Sequence, residues 1–113
     1  MAIHHIVNDY NLAHGGAQRI VLDLHRGGLE LGLSSKLFGL SKNPIYNIQG
    51  ARSLHYQSAY KLIVFIKLWR YFKGEVNAGD IVHVHLFPAI FFASVLHIFK
   101  LLPKCKLILR GHN

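Results

Sequence analysis

The sequence predicts an α/β domain built on an open, mostly parallel sheet with helices on both faces. Three observations predict it. Short apolar runs alternate with longer segments of helical period along the chain. One run, Ile81-Val82-His83-Val84-His85, carries no acid, lysine or arginine, as expected of a strand buried on both faces of a parallel sheet. A glycine pair, Gly15-Gly16, follows the first run and opens a helical segment, which is a strand-turn-helix pattern.

Taken in order, residues 2–7 read as a strand that enters the turn-rich Asn8-Asp9-Tyr10-Asn11. The helix opened by the glycine pair places Ala17, Ile20, Val21, Leu24 and Leu31 close to the i, i+3, i+4, i+7 spacing of one apolar face. Gly27-Gly28 should weaken it locally, and Gly32 suits its C-terminal cap. Residues 35–40 read as the second strand, and residues 52–56 as a short third one. A second helix over 59–73 is rich in large side chains, among them Leu62, Ile63, Phe65, Ile66, Trp69 and Phe72. After a loop at 74–79, Asp80 leads into the strand that ends at His85. Pro88 suits the first turn of a third helix, which is expected to run to about Leu102 and stop at Pro103. Residues 106–109 are a last strand, with 110–113 as its exit loop. The alternation stops just after a strand, so the 113 residues are expected to be one partial domain of a longer protein.

Composition narrows the classes. Apolar residues make up 51% and charged residues 16%, against about 45–50% and about 25% in average globular chains, so the chain is not a disordered one. Lys and Arg number 13 against 5 Asp and Glu, a net charge of +8 that favours anionic partners such as phosphorylated ligands or the cytoplasmic leaflet. Cys105 is the single cysteine, which rules out an intrachain disulfide and a four-thiolate metal site and fits a cytoplasmic location. The start, Met1-Ala2-Ile3-His4-His5, lacks the basic n-region of a secretory signal. Residues 81–99 carry no Asp, Glu, Lys or Arg, but His83, His85, His97 and Pro88 make them poor material for a membrane span. Lys61, Lys67, Arg70 and Lys73 alternate with Tyr60, Phe65, Trp69, Tyr71 and Phe72; this suits either a helix resting on anionic lipid or a core helix whose lysines reach for water. No RNA- or DNA-binding module is present, and nucleic acid is not an expected partner.

In open α/β sheets, ligands bind outside the carboxyl ends of the strands. The candidate residues are therefore those that follow strands: His14, Gly15, Gly16, Gln18 and Arg19 after the first, His85 after the fourth, and His112 after the last. Glycines let a ligand approach the backbone, and the helix start offers free N–H groups and the positive end of its dipole to a phosphate. Neither G-x-G-x-x-G nor G-K-[ST] occurs, which argues against a nicotinamide enzyme and a nucleoside triphosphatase. His83 and His85 share a strand face; a metal site there would need a third ligand, for which His112 or His14 could be suggested, and a structural role is the expectation. For His4, His5, His25, His55 and His97 the sequence offers no partner.

Three segments together resemble the front part of family 4 retaining glycosyltransferases, and they occur in the family's order. Residues 15–32, G-G-A-Q-R-I-V-L-D-L-H-R-G-G-L-E-L-G, are similar to its first loop and helix. Asp80-Ile-Val-His-Val-His85 is similar to its D-hydrophobic-hydrophobic-H-x-H strand, and Lys106-Leu-Ile-Leu-Arg-Gly-His112 to the strand after it. Residues 41–79 carry little of the likeness. The resemblance implies a GT-B architecture, two Rossmann-like domains facing each other, of which this chain would be the N-terminal, acceptor-side part without the C-terminal donor-binding domain. It implies a nucleotide-sugar donor, metal-independent transfer with retention, and no cofactor. By analogy Gly15, Gly16, Gln18 and Arg19 would lie at the donor phosphates, His112 would be catalytic near the reacting sugar, and His14 and His85 would line the acceptor rim. The family serves lipopolysaccharide, capsule, glycolipid and small-molecule glycosylation alike; the basic, aromatic-rich segment 59–73 favours a role in envelope polysaccharide, lipopolysaccharide or glycolipid synthesis, with a sugar or lipid-linked acceptor and a peripheral place at the inner membrane face. This chain alone is expected to be inactive. The alternative is a non-catalytic α/β binding or membrane-docking module.

Overall fold

The computed structural model describes residues 1–11, 16–42, 48–54, 56, 58, 61–86 and 88–110. In chain order these form β1 (Ala2–Val7), α1 (Gly16–Glu30), β2 (Ser34–Gly39), β3 (Ala51–Ser53), α2 (Leu62–Glu75), β4 (Ile81–His85), α3 (Ala89–Ile98) and β5 (Lys106–Arg110). The five strands make one all-parallel sheet in the order β3-β2-β1-β4-β5. The chain builds outwards from β1 through β2 to β3, then returns to the other side of β1 for β4 and β5. The strand order therefore reverses between β1 and β4, an open Rossmann-like arrangement.

Period-two alternation divides the core. Ile6, Phe38, Val82 and Val84 point to one face, where Val64, Leu68, Tyr71 and Phe72 of α2 and Ala89, Ala93 and Leu96 of α3 bury them. Val7 and Leu37 point to the other face, under Val21 and Leu22 of α1. This second face is only half covered. Val82, Val84 and His85 are buried as the apolar run predicts, but Ile81 and His83 are half-buried, because α1 lies over β1 and β2 and leaves β4 and β5 open.

That placement corrects the expected face of α1. Ile20, Leu24 and Leu31 are exposed, and the helix instead buries Gln18, Val21, Leu22 and His25, an i, i+3, i+4, i+7 stripe with polar residues at both ends. Gly27 and Gly28 do not break the helix; Gly28 packs its bare backbone against Ser35. Gly32, at φ +80°, ends it as expected, with Leu33 N–H donating to the Gly28 carbonyl at 2.9 Å. The third helix stops at Ile98, short of the expected Leu102. Lys100 takes a left-handed φ of +58°, and Leu101 N–H returns to the Leu96 carbonyl at 2.9 Å, a helix-ending pattern that overrides the apolar run beyond it. The segment weighed as a membrane span is thus β4 and α3, and among the described residues no helix is long and apolar enough to cross a membrane.

Candidate functional site

The carboxyl ends of β1 and β4 meet at the point where the strand order reverses. Here Asn8 joins the two halves: its side-chain oxygen accepts from Ala89 N–H at 3.3 Å, and its backbone carbonyl accepts from Ser41 N–H and the Ser41 hydroxyl at 2.8 and 2.9 Å. Leu86, just beyond β4, adopts a left-handed φ of +69°. Non-glycine residues hold that conformation at a cost, and they concentrate at ligand clamps and active sites. The turn lets the Leu86 side chain pack beside Val7, Tyr10 and Leu37 on the α1 face.

Gly16 is the first residue of α1 and is exposed. Its φ is not positive, and a Cβ built on it would meet nothing within 4 Å. Packing among the described residues therefore gives no reason for a glycine here. Arg19 is exposed one turn on, and Gln18 is buried against the sheet. His85, expected at the rim, is fully buried at the end of β4 with its ring beside that of His5. His14, Gly15 and His112 lie outside the described residues.

Sequence reading missed what lies beneath this rim. In the parallel register His5 of β1 stands beside His83 of β4, and His85 follows two residues on, so three imidazoles share one sheet face. His5 Nδ1 lies 3.4 Å from His85 Nε2, and the His83 and His85 ring centroids are 4.0 Å apart. One nitrogen atom from each residue lies within 4.8 Å of the others. Burial first, then the neighbouring His83, His25 and His4, lowers the His5 pKa to about 4, so its imidazole is neutral, as a metal ligand must be.

Two further histidines have fixed partners. His25 of α1 pairs Nδ1 with the Ser35 hydroxyl at 2.8 Å and donates from Nε2 to the Gln49 carbonyl at 2.7 Å. His4 sits on the opposite face between Tyr71 and Asp80, with Nδ1 2.8 Å from the Tyr71 hydroxyl and Nε2 2.9 Å from Asp80 Oδ2. The Asp80 carboxyl is held down at about 2, first by the backbone N–H groups of Asn77 and Ala2. It therefore only accepts, and His4 Nε2 carries the proton between them.

Four buried histidines lie in the described core, three of them (His4, His5 and His85) placed by strand register and His25 by its bonds to Ser35 and Gln49. Beside His5 and His83, on the uncovered half of the sheet, a cavity of about 480 Å³ runs between α1 and β5, with Ile3, Leu24, Gly28, Ile81 and Ile108 in its walls. No protein-family model, curated protein or solved structure matches the chain, and what the site can do rests on its own residues.

Proposed function

We propose that this chain is the acceptor-side, Rossmann-like part of a GT-B glycosyltransferase that transfers a sugar from a nucleotide sugar with retention. The observation that carries the reading is a glycine that packing among the described residues does not require, Gly16, at an exposed helix start near the reversal of strand order. A diphosphate resting there would take the free N–H groups of the first turn and the positive helix end, with Arg19 within the same turn. A well-placed donor of this kind stabilises a departing anion by about 3–4 kcal/mol. Gly15 would complete that cradle, His112 would act at the reacting sugar, and His14 would shape the acceptor side, whereas the buried Gln18 and His85 support the wall from beneath. The transfer needs no metal or cofactor, and its acceptor is a sugar or a lipid-linked sugar of the cell envelope.

The coding sequence after Asn113 tests this. An in-frame second α/β domain with Glu-x7-Glu spacing supports the reading, and a stop codon there overturns it. In a protein carrying that domain, Gly16→Val is expected to lower kcat/KM for a nucleotide sugar by roughly tenfold or more, about 1.4 kcal/mol of transition-state stabilisation.

A second reading, a module that docks on membrane at the cytoplasmic face, is favoured by one observation. Leu62, Ile63 and Ile66 of α2 are exposed on the same helix as Lys67, Arg70 and Lys73. That pairing of apolar and cationic side chains suits an anionic lipid surface.

A further inference from the structure

We infer that His5, His83 and His85 form a binding site for a late first-row divalent cation, of which Zn²⁺ is the natural representative. The inference is independent of the transferase reading, whose chemistry uses no metal. Geometry carries it. Two ligands bound tetrahedrally to zinc at about 2.0–2.1 Å stand about 3.3 Å apart, and His5 Nδ1 and His85 Nε2 stand at 3.4 Å. All three candidate nitrogen atoms fall within 4.8 Å of one another, so small rotations about the side-chain torsions suffice to close the third ligand in.

The positions of the three are fixed by backbone pairing. The His5–His83 register is set by the parallel ladder that joins Ile3, His4, His5 and Ile6 to Ile81, Val82, His83 and Val84. A strand pair is a rigid platform, and ligands placed on it are held before the ion arrives. His25, the other imidazole close to His5, is committed to Ser35 and Gln49 and stands outside the set. The set is all imidazole with no carboxylate or thiolate among its three members, which selects Zn²⁺, Cu²⁺, Ni²⁺ or Co²⁺ over Mg²⁺ or Ca²⁺.

Burial bears on access. His5 is 5% exposed and His85 fully buried, but His83 is half-buried, and both His5 and His83 reach the wall of the 480 Å³ cavity. An ion held by the three rings would therefore face the cavity with its remaining coordination position. Three protein ligands with one open position is the arrangement of sites that bind water or an exogenous ligand, whereas closed four-ligand sites are structural. The cation would also clamp β1 to β4, since it takes one ligand from the first and two from the second.

Titration of the metal-free protein with Co²⁺, followed by its visible absorption and by thermal unfolding, tests the inference. One Co²⁺ per chain, a ligand-field band of a four- or five-coordinate ion, and a rise in Tm are expected. His83→Gln, chosen because His83 is the most accessible of the three, should weaken binding at least ~100-fold, while His97→Gln on α3 should leave it unchanged. Should His83→Gln fail to fold, imidazole ¹⁵N resonances of the unaltered protein with Zn²⁺ provide the second readout. Shifts confined to His5, His83 and His85 support the site. No Co²⁺ band and no Tm change at millimolar metal, unchanged binding in His83→Gln, or shifts centred on other histidines would each overturn it.

Discussion

The Nε2 of His4 lies 2.9 Å from the Oδ2 of Asp80, which ties the central strand to the residue that opens the fourth. Asp80 also accepts from Ala2 N–H through Oδ1 and from Asn77 N–H through Oδ2, each at 2.9 Å, and its own carbonyl accepts from Lys106 N–H. The buried carboxylate thus organises β1 and the turn before β4, and the backbone of the same residue holds the start of β5. Asp80→Asn should destabilise the fold by about 2–3 kcal/mol, since charged hydrogen bonds are lost and His4 faces an amide in place of a carboxylate. Tyr71→Phe, which removes one neutral partner of His4, should cost about 1 kcal/mol. Urea unfolding measures both, and a larger loss for Tyr71→Phe would show that the carboxylate is not the organising group.

Acid should destabilise the protein over two pH ranges. His5 titrates at about 4 against an ordinary 6.5, lowered by burial first and by His83, His25 and His4 after it. Burial lowers His25 too, with Arg26 adding to it and the Gln49 hydrogen bond opposing. Both rings are neutral when folded and protonate when unfolded, so stability is full above about pH 6.5 and declines as pH falls towards 4. Asp80, lowered from 3.8 to about 2, contributes stability that is present above its ordinary value and disappears as pH falls from 3.8 towards 2. With EDTA present, urea midpoints should drop from about pH 7 to about pH 5 and again below about pH 4. Equal midpoints at the first two would contradict the burial of neutral His5 and His25.

Gly50 is the glycine whose replacement should matter most for folding. Its φ is +75°, and a Cβ there would stand 2.9 Å from the Ser35 carbonyl oxygen and 3.4 Å from the His25 ring. Its own carbonyl accepts from Leu37 N–H at 3.0 Å. Gly50→Ala should cost about 1–3 kcal/mol through the left-handed conformation, with the clash adding to it. Gly74→Ala, in open space on α2, should instead stabilise by about 0.4–1 kcal/mol. Thermal unfolding of the two variants in parallel gives the comparison, and shifts of the same sign would refute it.

Vesicle sedimentation examines the exposed end of α2. Phosphatidylserine-containing vesicles should retain more protein than neutral ones, and Ile66→Glu with Lys67→Glu should abolish the difference. Equal sedimentation on both vesicle types would remove the membrane-docking reading.

The strands were the most legible part of the sequence, because the apolar run at 2–7 ends in turn residues and those at 81–85 and 106–109 have turn residues close on both sides. Helix ends were less so: the left-handed turn at Lys100 falls on a residue type that gives no sign of it. The buried face of α1 escaped because Gln18 and His25 hold positions that hydropathy assigns to solvent, and what buries His25 is a hydroxyl and a carbonyl from distant segments. The histidine cluster was half visible. The alternation in Val82-His83-Val84-His85 puts two rings on one face, but the third comes from a register between positions 5 and 83 that no local pattern encodes. His4 and His5 are adjacent in sequence and face opposite sides of the sheet, so a reading by proximity would have joined the wrong pair.

The central place of β1 has a consequence for how the protein is made. β1 leaves the ribosome before either of its neighbours, β2 on one side and β4 on the other, and its contacts to Asp80 and His85 span 78 and 80 residues. At about 5–20 residues per second, the strand waits roughly 4–16 s after emerging before its second neighbour exists. Until then one edge and the polar atoms of His4 and His5 face water or a chaperone. The nascent chain can close the β1–β2 pair and α1 early, but β1 is sealed only when residues 80–85 arrive, and the sheet is complete only with residues 106–110.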